Sequence, residues 1–70
     1  MLINAELNVD QVNDDNRTAI TKKLTDLDGV ENVTIDLKAK QVTVRYDEGK
    51  VNLVHIKQAI MTDGYSVMEV

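Results

Sequence analysis

The sequence predicts an α+β fold in the order β-α-β-β-α-β, a four-stranded antiparallel sheet with two helices on one face. Three observations carry this expectation. Three stretches alternate apolar and polar residues with a period of two; two others repeat apolar residues at helical spacing; and the connections between them are short and polar. The elements fall into two successive strand–helix–strand units. A right-handed crossover in each places the first and third strands at the centre of the sheet and the second and fourth at its edges.

Over residues 2–9, Ile3, Ala5, Leu7 and Val9 fall on one side, with Leu2, Asn4, Glu6 and Asn8 on the other. That is a strand buried on one face. After a polar loop, Ile20, Leu24 and Leu27 recur at i, i+4 and i+7, with Ala19 beside them, as the inward stripe of a helix. Asn13 is the expected N-cap, which puts Asp14 and Asp15 in the first turn, where carboxylates favour the helix dipole. Asp28-Gly29 ends this helix, the glycine supplying a left-handed cap.

A second strand is expected over residues 31–37, with Val33, Ile35 and Leu37 inward. Lys38-Ala39-Lys40 is a hairpin connection to a third strand that carries Val42, Val44 and Tyr46 inward. Asp47 to Lys50 form a loop, and Asn52 caps a second helix whose inward residues are Leu53, Ile56, Ala59 and Ile60. Gly64 closes it, and Tyr65 to Val70 form a short final strand. The plan is the ferredoxin-like, split-βαβ sandwich.

Seventy residues make one domain, 1–70, of a size that buries only about 60% of its unfolded surface. There is no cysteine, Trp or Phe, so disulfides and thiolate metal sites are excluded and the core is aliphatic. No apolar run reaches the roughly 20 residues of a membrane span. The opening Met1-Leu2-Ile3-Asn4-Ala5-Glu6 lacks the basic start of a secretory signal, so a cytoplasmic location is expected. A net charge of −4 argues against binding nucleic acid, which needs clustered Lys and Arg.

The run Leu24-Thr25-Asp26-Leu27-Asp28-Gly29-Val30-Glu31-Asn32-Val33 resembles the helix end and second strand of heavy-metal-associated domains. So do Val42-Thr43-Val44-Arg45-Tyr46-Asp47, Ile56-Lys57-Gln58-Ala59-Ile60 and Asp63-Gly64-Tyr65. The resemblance spans nearly the whole chain without a gap. It implies the same fold, and a metal site at Met-x-Cys-x-x-Cys before the first helix. Counting back from Leu24 puts Gln11 at the methionine and Asn13 and Asn16 at the two cysteines. Two thiolates at that spacing suit Cu(I); amide oxygens are hard, neutral and weak donors toward it. The fold resemblance therefore does not carry the ligand chemistry across. Of the family's bacterial site surroundings only Tyr65 remains. Asn16, at the upper end of the core-facing row, is expected to be partly buried and hydrogen-bonded.

Asp10, Asp14 and Asp15 add oxygens to the same loop, but their spacing is not that of a calcium loop, and a helix N-terminus repels cations. Weak divalent-metal binding is the most these ligands suggest, with no resident cofactor. His55 is expected on the solvated face of the second helix. Met1, Met61 and Met68 lie in separate elements, although Met1 and Met68 could approach each other if strands one and four pair. Catalysis has no foothold: there is no cysteine, one lone histidine, and no Ser or Thr beside a base. Tyr46 is expected in the core.

Two readings remain. In the first, the chain is a non-enzymatic binding module of metallochaperone type with a degenerate metal site. The resemblance implies docking through the loop and first helix, at Gln11, Val12, Asn13, Lys22, Lys23 and Tyr65, onto a metal-transporting ATPase domain or another copy of itself. In the second, the chain still handles a metal, through oxygens, His55 or methionines. Lys22 and Lys23 are otherwise read as solvated charges.

Overall fold

The structure, a computed structural model, describes residues 1–69. Its elements are β1 (Leu2–Asn8), α1 (Arg17–Thr25), β2 (Val30–Asp36), β3 (Gln41–Asp47), α2 (Leu53–Met61) and β4 (Met68–Glu69). The strands pair antiparallel in the order β2-β3-β1-β4. The predicted ferredoxin-like topology is the observed one, with β1 and β3 central.

Register follows from the alternation. Val33, Val44 and Ala5 form one cross-strand row, Ile35, Val42 and Leu7 the next, and Val30, Tyr46 and Ile3 a third. A bulge between Val30 and Asn32 makes the third row. Strict alternation would turn Val30 away from the face that Val33 occupies, and the extra residue restores it to the core. The strand consequently starts one residue before the expected position, and Leu37 lies just beyond its end.

The core between sheet and helices is Leu7, Val9, Val12, Ile20, Leu24, Val42, Val44, Tyr46, Val51, Ile56 and Ile60. From α1 it takes Ile20 and Leu24, with Leu27 half-buried behind them; Ala19, expected beside this stripe, is exposed. From α2 it takes Ile56 and Ile60, flanked by half-buried Leu53 and Ala59. Asn52 caps α2 as expected, its Oδ1 accepting from the His55 N–H at 2.8 Å. Gly29 is at φ +99°, and a Cβ there would stand 2.8 Å from the Lys50 Cβ, so only glycine fits this corner.

Expectations change at the end of the chain as well. The last strand is Met68–Glu69 alone; Tyr65 to Val67 precede it outside the sheet, and Val70 lies outside the described residues. β4 meets β1 only at its far end, Leu7 opposite Glu69 and Asn8 opposite Met68. Met1 and Met68 are thus separated by the length of β1, roughly 20 Å at the usual rise per residue, and form no thioether pair. Among the described residues no helix is long and apolar enough to cross a membrane.

Candidate functional site: the loop between β1 and α1

The loop leaves β1 at the buried Val9 and enters α1 at Arg17, with a turn at residues 14–16 ahead of the helix. Asn13 organises that turn. Its Oδ1 accepts from the N–H groups of Asp15 at 2.8 Å and Asn16 at 2.9 Å, and its carbonyl accepts from the Arg17 N–H at 3.0 Å. Asn16 answers, its Oδ1 accepting from the Asn13 N–H at 2.9 Å. This reciprocity is the bonding of a capping box, with asparagine at both positions. The two remaining amide groups converge as well: Asn13 Nδ2 at 3.3 Å and Asn16 Nδ2 at 2.8 Å both donate to the Gln11 carbonyl.

Asn13 therefore caps a turn that precedes the helix proper. Asp14 and Asp15 lie in this turn, outside the first turn of α1, which holds no acidic residue. Asp14 reaches back to Arg17 at 3.8 Å, a loose and exposed contact. Asp10, Asp14 and Asp15 are all exposed. Among the described residues no three His, Cys, Asp or Glu side chains come together around a common point. His55 is exposed on α2, away from this loop.

The residues singled out for docking are sorted by burial. Gln11, Asn13 and Lys22 are exposed and Tyr65 is half-buried against the core. Gln11 also ties the loop to the segment after α2, its Oε1 accepting from the Ser66 N–H at 3.2 Å. Val12 does not belong on that surface: it is fully buried, the loop turning its side chain in beside Val9. Nor is Lys23 a free solvated charge, because its Nζ is 2.9 Å from Asp63 Oδ1 beyond the end of α2.

Lys40 is the loop neighbour that sequence reasoning missed. The sequence shows it only as part of a polar hairpin, yet it sits at φ +57° and its Nζ donates to the Val12 carbonyl at 3.0 Å. Its only sequence signal was a lysine at the end of a tight connection, which also describes many idle surface lysines.

Among the described residues no Asp, Glu, Lys, Arg or His is buried. The Asp47 carboxyl is held below its ordinary value by the Met1 ammonium at 2.9 Å, helped by the Gly49 N–H. It borders an open groove of about 350 Å³ lined by Leu2, Gly29, Val30, Glu31 and Lys50, at the opposite end of the sheet from the Asn13 loop.

The heavy-metal-associated domain profile matches residues 15–66. A copper chaperone, CopZ, of Staphylococcus haemolyticus is 39% identical over 67 residues, covering 94% of this chain and 98% of the relative. The chain belongs to the heavy-metal-associated domain family. Its backbone agrees: a CopZ metallochaperone structure superposes with a TM-score of 0.88 at 33% identity, over 94% of this chain and all of that one. The N-terminal domain of a potential copper-translocating P-type ATPase from Bacillus subtilis, solved in the Cu(I)-loaded state, shares the fold. Its TM-score is 0.91 at 24% identity, over 99% of this chain and 88% of that one. This is a metallochaperone-like heavy-metal-associated domain, homologous to copper chaperones, without a cysteine anywhere in its sequence.

Proposed function

We propose that this domain is a non-enzymatic interaction module whose soft-metal site is degenerate. The supporting observation is the state of Asn13 and Asn16, whose amides are spent on each other's backbone and on the Gln11 carbonyl. Asn13 Oδ1 already accepts two hydrogen bonds and Asn16 Oδ1 one, and neutral amide oxygen is in any case a poor match for Cu(I). The work left to the loop is recognition. The docking patch is Gln11, Asn13, Lys22 and Tyr65, and the partner is the heavy-metal-associated domain of a metal-transporting ATPase, met in the cytoplasm, or a second copy of this chain. The similarity to a copper chaperone and to an ATPase domain supports that choice.

Two titrations test the proposal. In competition with a colorimetric Cu(I) chelator, the chain is expected to leave the chelator loaded; stoichiometric capture would end the reading. In an NMR titration with a metal-free heavy-metal-associated domain of a copper-transporting ATPase, and in dilution of the chain alone, shifts are expected around residues 11–16, 22 and 65. Shifts confined to other faces, or none in either series, would remove the docking assignment.

A further inference from the structure

Lys40 stands at the end of the β2–β3 hairpin and touches the neighbouring loop twice. Its carbonyl accepts from the Val9 N–H at 2.9 Å, where the chain leaves β1. Its ammonium donates to the Val12 carbonyl at 3.0 Å, in a part-buried contact. Between these two points Val12 N–H bonds to the Val9 carbonyl at 3.2 Å, so residues 9–12 close into a compact turn with one lysine gripping both ends. The residue holds φ +57°, a conformation that side-chain-bearing residues rarely adopt. The short β2–β3 hairpin calls for a left-handed residue at the end of its turn, and lysine, with no local side-chain bond to favour that conformation, has its ammonium free to reach across to the Val12 carbonyl.

We propose that Lys40 is the positioning residue of the docking loop: its ammonium, bonded to the Val12 carbonyl, fixes residues 10–16 in one conformation with no metal bound. Val12 is the hinge through which this acts. Its side chain is locked in the core, its carbonyl is held by Lys40, and the Gln11 carbonyl next to it receives both asparagine amides. The cap built by Asn13 and Asn16 is thereby tied to the sheet through a charge-assisted hydrogen bond, the stronger kind. A bound ion is one means of ordering such a loop, and here a tethered cation of the chain itself takes that part. The docking face is then preformed in the free protein, which removes the ordering cost from binding.

This inference rests on the reading of residues 11–16 as the docking patch, and its test is independent of any partner. The heteronuclear NOE and amide hydrogen exchange of residues 10–16 are measured on the full chain for the parent, Lys40→Met and Lys40→Arg. In the parent, the loop is expected to be as rigid as β1 and β3. In Lys40→Met, exchange at the Asn13, Asp15 and Asn16 amides is expected to rise roughly tenfold or more, as loss of a bond to a charged donor implies. Heteronuclear NOE values in the strands should stay where they were, the melting midpoint should fall by several degrees as the lost bond weakens the folded state, and Lys40→Arg should restore most of the protection. A mobile loop in the parent, unchanged exchange at residues 13–16 in Lys40→Met, or lowered NOE values spread over the whole sheet would each overturn the assignment. None of these outcomes touches the Cu(I) titration, so a failure here is distinct from a failure of the functional reading.

Discussion

Asn13 and Asn16 are mutual caps: each side-chain oxygen accepts the other's backbone N–H, both at 2.9 Å. Truncating Asn13 removes two accepted bonds at once. Asn13→Ala is expected to lower stability by about 1 kcal/mol, the usual worth of an N-cap. A thermal melt should show a midpoint lower by roughly 4–8 °C for a domain of this size. Because the two residues share bonds, the double alanine variant should cost less than the sum of the singles.

The same pair allows a gain-of-function experiment. Asn13→Cys with Asn16→Cys puts two thiolates where the resemblance places the family's ligands. That variant is expected to take Cu(I) from a colorimetric chelator at one equivalent per chain, while the parent takes none. Without metal it should melt below the parent, since both caps are gone. Failure to capture Cu(I) in a folded double variant would show that residues 13 and 16 are not the ligand positions.

Gly29 and Gly64 separate two costs of adding a methyl group. Both sit at positive φ, +99° and +91°. A Cβ at Gly64 meets nothing within 4 Å, whereas at Gly29 it collides with Lys50 Cβ at 2.8 Å and Val51 Cγ1 at 3.0 Å. Gly64→Ala should therefore cost only the left-handed penalty, about 1–2 kcal/mol. Gly29→Ala should cost clearly more, with the difference read as a larger drop in urea midpoint.

Lys23 and Asp63 join α1 to the segment after α2 at 2.9 Å, with 35% and 44% of their side chains exposed. A double-mutant cycle with Lys23→Ala and Asp63→Ala is expected to give a coupling of about 0.2–1 kcal/mol, shrinking as salt is added.

Asp47 sets part of the acid limb. Its carboxyl titrates below the ordinary value of 3.8, because the Met1 ammonium and the Gly49 N–H both favour the charged form. A depressed carboxylate stabilises the fold above its unfolded pKa, and that contribution fades as pH falls through the folded value. Asp47→Asn should reduce stability at neutral pH and flatten its pH dependence below about pH 4, as followed by acid titration of the circular dichroism signal.

Most of the architecture could be read from the chain because aliphatic alternation is unambiguous: Ile3, Ala5 and Leu7 on β1 and Val42, Val44 and Tyr46 on β3 lie where parity puts them. Asn52 was legible for the same kind of local reason, a cap acting on the N–H three residues on. Long-range details were not. Val12 looked like a loop residue because nothing local says that the loop turns it inward. Lys23 and Lys40 find partners 40 and 28 residues away, a distance across which periodicity carries no signal. The first helix begins only at Arg17, and the pairwise bonding of Asn13 and Asn16 ahead of it is invisible to a cap rule that scores one residue at a time.

The bulge at Glu31 also sets how β2 meets other molecules. Removing that one residue would leave Val30 and Val33 two positions apart, both still inward, so the hydrophobic rows would survive the deletion. What would vanish is the kink in the outermost strand of the sheet. A straightened border offers a clean ladder of unpaired amides to any passing strand, and such borders invite lateral stacking into aggregates. Deleting Glu31 is therefore expected to raise the tendency of the domain to self-associate along β2 while leaving its core rows in place.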